Sequence, residues 1–197
     1  MNHLAHLLLS GPEAALRAGG FLGDFVRGRL KGELPEAVEQ GIRLHRHLDA
    51  TTDRHPLVRE LLALFPSEHR RWAPVALDVW FDHVLARDFE RFAAAALPAF
   101  AARAYDDLDA HAPLMGPAPR RFLERMRASD LLVRYAERET VTGVLRRLAE
   151  RSPRARPLAA VDEAFDGLAA ELDARFPILL ADLERTAAAW RVEHAGR

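Results

Sequence analysis

Residues 35–53, PEAVEQGIRLHRHLDATTD, decide the fold class, because they predict one long amphipathic helix. Pro35 suits the first position of a helix, and the apolar residues that follow recur at helical spacing. The rest of the chain has the same bias, since 36 alanines and 30 leucines make up a third of its 197 residues. Both residue types favour helices, whereas the β-branched residues isoleucine and threonine are scarce. The sequence therefore predicts an all-α fold.

Composition and charge exclude several classes of protein. The chain has no cysteine, which excludes a disulfide framework, a thiolate zinc site, an iron–sulfur cluster and a cysteine nucleophile. Its net charge of −1 argues against a nucleic-acid partner, because such domains are usually strongly basic. No apolar stretch reaches the roughly 20 residues of a membrane span, and the N-terminus lacks the pattern of a signal peptide. We expect a cytoplasmic protein with neither nucleic acid nor membrane as a partner.

Helical periodicity and stop signals divide the chain into a series of helices within one compact domain over residues 1–197. A break is expected at Gly19-Gly20, and Ser67 is expected to cap a long helix in which Pro74 introduces a kink. The segment 111–119 is expected to be a loop. The predicted helices cover about 2–9, 12–27, 35–53, 56–66, 67–92, the alanine-rich stretch to 109, 119–128, 130–151 and 157–192.

Histidines and aspartates recur at helical spacing in the N-terminal half of the chain. His45, Asp49 and Asp53 are four residues apart in succession and therefore share one face of the helix. In LDVWFDHVL (77–85), Asp78 and Asp82 are again one turn apart. A carboxylate among such apolar neighbours is costly to bury unless it meets a cation or a metal.

These residues together predict a metal site between helices. Asp24 also lies among apolar residues, and His83 directly follows Asp82. Imidazole and carboxylate ligands suit Mn(II), Fe(II), Zn(II) or Mg(II), and a majority of oxygen ligands favours Mn or Mg. Such an ion polarises a phosphoryl oxygen and activates a water for attack on phosphorus. The alternative for each residue alone is structural: a single histidine is usually a core residue, and an aspartate pair one turn apart usually faces solvent.

Basic residues are concentrated in one region. Residues 120–156 contain 11 arginines and 5 acidic residues, whereas the chain as a whole is nearly neutral. This region is either a docking surface for an acidic partner or a solvated helix face. Arg46, next to His45, is expected either to bind a phosphate with two hydrogen bonds or to pair with a neighbouring aspartate.

Four motifs in the N-terminal half resemble those of the acyl carrier protein phosphodiesterase family, an all-helical family related to the HD-domain phosphohydrolases. Two later segments match that family more loosely, so the resemblance extends over nearly the whole chain. The motifs are MNHLAHLLLS (1–10), FLGDFVRG (21–28), GIRLHRHLDATTDRHP (41–56) and LDVWFDHVLARDF (77–89), and the later segments are 131–154 and 160–183.

The resemblance implies an HD-like helical bundle and a defined reaction. Enzymes of this family remove 4′-phosphopantetheine from holo-acyl carrier protein by hydrolysing the phosphodiester to the carrier's serine, and they depend on a divalent metal, preferably Mn²⁺. The order Asp82-His83 is the reverse of the His-Asp doublet of HD domains, so ligand roles are not transferred directly from them. The family pattern falls on Asn2, His6, Asp24, His45, Arg46, Asp49, Asp53, Asp78, Asp82 and His83.

The sequence therefore predicts a metal-dependent phosphodiesterase with an acidic acyl carrier protein as its partner, docked on residues 120–156. Its cofactor is expected to be Mn²⁺, with Mg²⁺, Fe²⁺ or Zn²⁺ as alternatives. Two alternative functions remain open: an HD-like phosphohydrolase acting on a nucleotide or another small phosphodiester, and a non-catalytic helical module that binds an acidic partner. The predicted metal ligands are His6, Asp24, His45, Asp49, Asp78, Asp82 and His83, and the predicted catalytic residues are Asp24, Arg46 and His83.

Overall fold

The computed structural model describes residues 1–194, and these form ten α-helices and three 3-10 segments without a β-strand. The last three residues of the predicted domain, 195–197, lie outside the described part. The helices are α1 His3–Leu9, α2 Ala14–Leu22, α3 Glu36–Arg54, α4 Pro56–Leu64, α5 Ala73–Arg87, α6 Leu97–Ala110, α7 Pro117–Ala128, α8 Leu131–Arg134, α9 Arg138–Glu150 and α10 Phe165–His194. The 3-10 segments are Phe89–Arg91, Ala112–Leu114 and Pro153–Ala164.

The predicted all-α class is confirmed. Apolar side chains from Met1 to Trp190 form one connected core across the described helices. Helix α5 lies at its centre, because eleven of its fifteen residues are buried. No helix in the described part is both long enough and apolar enough to cross a membrane.

Helix α2 differs from its prediction in two ways. It ends at Leu22 and does not continue to residue 27, and it passes through Gly19 and Gly20 without a break. The glycines serve close packing and do not interrupt the helix. A Cβ on Gly19 would overlap the backbone oxygen of Val38, and a Cβ on Gly41 would overlap the backbone oxygen of Leu16. Helices α2 and α3 therefore pack backbone against backbone, which only residues without a side chain permit.

Three other boundaries also differ from the prediction. Helix α5 begins at Ala73, not after Ser67, so Pro74 lies in its first turn, where the missing N–H costs no helical hydrogen bond. The predicted helix over 130–151 is divided into α8 and α9. A 3-10 segment, Pro153–Ala164, takes the place of the start of the predicted last helix, and Pro117 begins α7 inside the predicted loop.

The short helix α1 is fixed in place by α5. The carboxylate of Asp82 accepts hydrogen bonds from the backbone N–H groups of Leu4, at 2.8 Å, and Ala5, at 3.0 Å. These N–H groups lie in the first turn of α1 and have no partner within that helix. Because Asp82 is fully buried, this contact sets the position of the whole N-terminal segment on α5.

We expect the substitution Gly41→Ala to destabilise the protein by about 2 kcal/mol, because the added methyl group meets backbone that cannot move aside. The measurement is urea unfolding followed by circular dichroism. Gly167→Ala is the matched control, since a Cβ on this helical glycine would meet no atom within 4 Å. Its free energy of unfolding should be unchanged or raised by up to about 1 kcal/mol. Equal effects of the two substitutions would contradict the close packing of α2 on α3.

Candidate metal centre and adjoining cleft

The carboxylate of Asp49 on α3 lies against two buried imidazoles, those of His6 on α1 and His45 on α3. Asp49 Oδ1 lies 3.1 Å from His6 Nε2, and Asp49 Oδ2 lies 3.1 Å from His45 Nε2. The two imidazole rings stack with their centroids 3.8 Å apart. The histidine side chains are 2% and 3% exposed, whereas that of Asp49 is 43% exposed. The nitrogens thus lie beneath a carboxylate that opens towards solvent.

The orientation of His45 is fixed from behind. Its Nδ1 lies 2.8 Å from the backbone oxygen of Gly20, and a carbonyl oxygen can only accept, so Nδ1 carries the hydrogen and Nε2 faces the cluster. A Cβ on Gly23 would overlap the imidazole ring of His45. Gly23, the residue directly after α2, therefore leaves the space in which this ring lies.

Asp24 extends the cluster on the side of α2. Its Oδ1 lies 3.7 Å from His45 Nε2, and its Oδ2 lies 3.3 Å from His3 Nδ1. His3 is not among the predicted ligands, and no acidic residue stands at helical spacing from it in the sequence. The partner of His3 is Asp24, which lies in the turn after α2. The one signal for His3 in the sequence is its spacing from His6, which places the two histidines on the same face of α1.

Asp78 reaches the cluster through the α-amino group of Met1. This group lies 3.0 Å from Asp78 Oδ1 and 3.6 Å from Asp49 Oδ1. Burial alone would lower the pKa of the amino group, but the two carboxylates raise it above its usual value. Burial raises the pKa of Asp78 in turn. Asp78 therefore lies beside a group of four predicted ligands that contact one another, namely His6, Asp24, His45 and Asp49.

The donor set fits a divalent cation. The ligand atoms of His6, His45 and Asp49 all lie within 4.8 Å of one another. Each oxygen of Asp49 lies 3.1 Å from one imidazole nitrogen, which is close to the roughly 3.0 Å between neighbouring ligands of a six-coordinate ion with bonds of about 2.1 Å. Burial lowers the pKa of His6 to about 4, so its imidazole is neutral at pH 7, as a metal ligand must be. Burial raises the pKa of Asp49, but the adjacent imidazoles of His45 and His6 outweigh this effect and lower the pKa below its usual value.

The structure does not bring every predicted residue to this cluster. The oxygens of Asp82 are engaged by the backbone of α1. His83 Nδ1 donates to the backbone oxygen of Tyr135 at 2.7 Å, and Arg46 Nη2 donates to the backbone oxygen of Val26 at 2.7 Å. Neither His83 nor Arg46 lines the cleft described next.

Two further residues of the family pattern lie near the cluster. Asp53 is exposed, one turn beyond Asp49 on α3, and its charge contributes to the raised pKa of Asp78, although burial is the largest cause. The side-chain amide of Asn2 donates to the hydroxyl of Tyr135 at 2.8 Å. Asn2 thus connects the segment before α1 to the segment after α8.

A cleft of about 900 Å³ adjoins the cluster. Asp24 and Asp78 lie at one end of it, and residues of α7, α9 and the start of α5 form its walls. The walls are mixed, with apolar residues such as Phe122 and Val144 and with several arginines. The exposed oxygens of the cluster therefore face a cavity large enough for an extended small molecule or a prosthetic group.

The all-helical fold, the histidine–carboxylate cluster and the adjoining cleft together define a candidate active site. A family profile described as "Acyl carrier protein phosphodiesterase" matches residues 1–183, and the chain belongs to that family, as the sequence resemblance predicted. No solved structure matches the chain, so the predicted kinship with HD-domain phosphohydrolases stays a prediction.

The curated relatives carry the same description. The acyl carrier protein phosphodiesterase of Serratia proteamaculans is 41% identical over 160 residues, which are 81% of this chain and 83% of that protein. That of Photorhabdus laumondii is 34% identical over 180 residues, 89% of each chain. That of Escherichia coli is 34% identical over 195 residues, which cover 95% of this chain and the whole of that protein.

We expect Asp82→Ala to lower the free energy of unfolding by about 3 kcal/mol, because it leaves two buried N–H groups of α1 without acceptors. Urea unfolding at neutral pH measures the effect. Asp106→Ala is the control, since the Asp106 side chain is 70% exposed and pairs only with the half-exposed Arg127. If the two variants were equally stable, Asp82 would not hold α1 in place.

Removal of an imidazole should abolish tight binding of Mn²⁺. We expect His45→Ala to weaken Mn²⁺ binding about 100-fold or more, since a ligand contributes at least as much as its supporting partners. Titration of Mn²⁺ followed by electron paramagnetic resonance measures the affinity. His47→Ala is the matched control, because His47 is exposed on the same helix. Wild-type affinity in the His45 variant would refute the cluster as a metal site.

Proposed function

We propose that this chain hydrolyses the phosphodiester that links 4′-phosphopantetheine to the serine of holo-acyl carrier protein. The products are apo-acyl carrier protein and 4′-phosphopantetheine. The observation that carries the proposal is that the histidine–carboxylate cluster opens, through Asp24 and Asp78, into a cleft of this family member. The reaction breaks the P–O bond to the serine and joins the oxygen of water to phosphorus, so one proton leaves the water and one reaches the serine oxygen.

We further propose that His6, His45 and Asp49 hold a divalent cation, with Asp24 and Asp78 as the adjacent carboxylates. When bound, such a cation supplies Lewis-acid polarisation of the phosphoryl group and lowers the pKa of water. Mn²⁺ is the expected ion, with Mg²⁺, Fe²⁺ or Zn²⁺ as alternatives, because the donor set combines imidazoles with a majority of hard oxygens.

Asp24 is the proposed proton acceptor. Its side chain is 43% exposed at the end of the cleft, so a water molecule can reach it. His3 lies 3.3 Å from its Oδ2 and orients the carboxylate. Burial lowers the pKa of His3, which keeps the imidazole neutral at pH 7. Arg46 and His83 have no part in the proposed chemistry, because both are bonded to backbone oxygens outside the cleft.

Acidic acyl carrier protein is the proposed partner, docked on the arginine-rich region 120–156. Only Arg127, Arg134 and Arg138 of this region form ion pairs with acidic side chains among residues 1–194. The other arginines therefore keep their charge available for an acidic surface. Recognition of this kind weakens as salt is added. A cytoplasmic location is part of the same proposal.

Purified protein with Mn²⁺ should convert holo-acyl carrier protein to the apo form, and mass spectrometry detects the loss of the prosthetic group. A chelator should abolish the conversion. We expect Asp24→Ala to lower turnover by about 100-fold or more, with unchanged helical content, because Asp24 lies outside the helices, in the turn after α2, and its side chain is 43% exposed. Asp53→Ala, an exposed acid outside the cluster, should retain turnover.

Three outcomes would contradict the proposal. Near wild-type turnover of Asp24→Ala would remove that residue from the chemistry. An unchanged carrier protein together with hydrolysis of nucleotide phosphodiesters would assign the site to small molecules. Binding of the carrier without any hydrolysis, insensitive to Asp24→Ala, would indicate a non-catalytic module.

A further inference from the structure

Three arginines line the cleft without an acidic partner. Arg125 lies on α7, Arg147 on α9, and Arg151 directly after α9. All three are exposed, and none forms an ion pair with an acidic side chain among the residues that the structure describes. Glu139 and Glu150 also line the cleft but lie beyond ion-pair distance of these guanidinium groups. Arg125, Arg147 and Arg151 therefore give the walls of the cleft a positive charge that no acidic side chain of the described residues pairs with.

Arg125 and Arg151 line the cleft together with His3 and Asp24. The guanidinium of Arg125 lies over the ring of Phe122, 6.0 Å from its centroid, and that ring lies 4.9 Å from the imidazole of His3. Burial lowers the pKa of His3, and the positive charge of Arg151 lowers it further. The ring of Phe122 thus lies between Arg125 and the imidazole of His3. Arg151 lines the same cleft as His3 and Asp24, from the end of α9.

Arg147 lies along its own helix. A Cβ built on Gly143 would lie 3.6 Å from Arg147 Nη1, so the guanidinium folds back over the glycine into the cleft. Burial raises the pKa of the Tyr135 hydroxyl, and the charge of Arg147 acts in the opposite direction. Tyr135 accepts the hydrogen bond from Asn2, and both residues line the cleft together with Arg147.

We infer that Arg125, Arg147 and Arg151 bind the phosphoryl oxygens of the substrate and that the apolar wall beside them holds its pantetheine arm. This inference rests on the proposed function and names the residues that recognise the group being cleaved. Guanidinium groups bind phosphate oxygens with paired, charge-assisted hydrogen bonds. The side chains of Asp24 and Asp78 bring two carboxylates to the cleft, and without a bound cation these would repel an anionic phosphodiester.

The walls of the cleft also suit a ligand that combines a phosphate with an apolar chain. Val144, Leu148 and Phe122 share the walls with the arginines, so an apolar chain and its terminal phosphate can be buried together. Arg46, which the sequence suggested for this role, is bonded to Val26. The phosphate-binding residues therefore come from the C-terminal half of the chain, and the cluster comes from the N-terminal half.

The test is the binding of inorganic phosphate and of 4′-phosphopantetheine to the intact protein, measured by titration calorimetry at low ionic strength. We expect Arg147→Ala and Arg151→Ala each to weaken binding of both ligands about tenfold. Arg147→Lys keeps the charge but loses the paired geometry, and it should show an intermediate loss. Arg146→Ala and Arg154→Ala are matched controls, because these exposed arginines are neighbours in sequence that do not line the cleft. They should leave both affinities unchanged.

Hydrolysis of holo-acyl carrier protein separates the possible explanations. Cleft variants should lose turnover even at saturating carrier concentration, whereas the two controls should raise only KM. Equal loss of phosphate binding in cleft and control variants would overturn the inference in favour of unspecific charge. Wild-type phosphate affinity in the cleft variants would overturn it outright. If the cleft variants alone lose phosphate binding while the wild type leaves the carrier intact, the arginine assignment holds and the proposed function fails.

Discussion

The backbone contact between α2 and α3 is the constraint on which the site depends. At Gly19 and Gly41 the two helices approach so closely that neither position has room for a methyl group. This approach brings the carbonyl of Gly20 within 2.8 Å of His45 Nδ1, and it leaves beside Gly23 the space that the imidazole fills. A wider separation would release His45 from its acceptor and move Asp24 away from it. The same contact thus determines helix packing and the orientation of a predicted metal ligand.

A second constraint comes from α5, which fixes α1 through its buried acids. Asp82 binds the first turn of α1, and Asp78, one turn earlier on the same helix, pairs with the amino group of Met1. Both acids therefore act on the segment that carries His3 and His6, although only Asp78 lies beside the cluster. A buried carboxylate needs hydrogen-bond donors or positive charge. The backbone N–H groups of α1 meet this need for Asp82, and the α-amino group of Met1 meets it for Asp78.

Much of the fold and part of the site could be predicted from the sequence. Spacing along one helix identified His45 and Asp49 as neighbours, and the apolar residues around Asp24 indicated that acid. The family resemblance, which the family profile confirms, added His6. The pairing of His3 with Asp24 could not be predicted in this way, because it joins two segments 21 residues apart. The predicted helix break at Gly19 is wrong, because a glycine that allows close packing and a glycine that ends a helix look alike in sequence. Likewise, no pattern distinguishes an arginine aimed at a cleft, such as Arg147, from Arg146 beside it.

The shortness of α1 has a consequence for the order in which the protein gains structure. A helix of seven residues is too short to persist in water by itself, so α1 becomes ordered only when α5 is already in place to receive it. His6 and His3 join Asp49 and Asp24 only in that docked state. Local opening of the N-terminal segment would therefore dismantle the cluster while most of the bundle stays folded. Any ion held by His6 would in turn oppose that opening, so occupancy of the site and order of the N-terminal segment are thermodynamically linked.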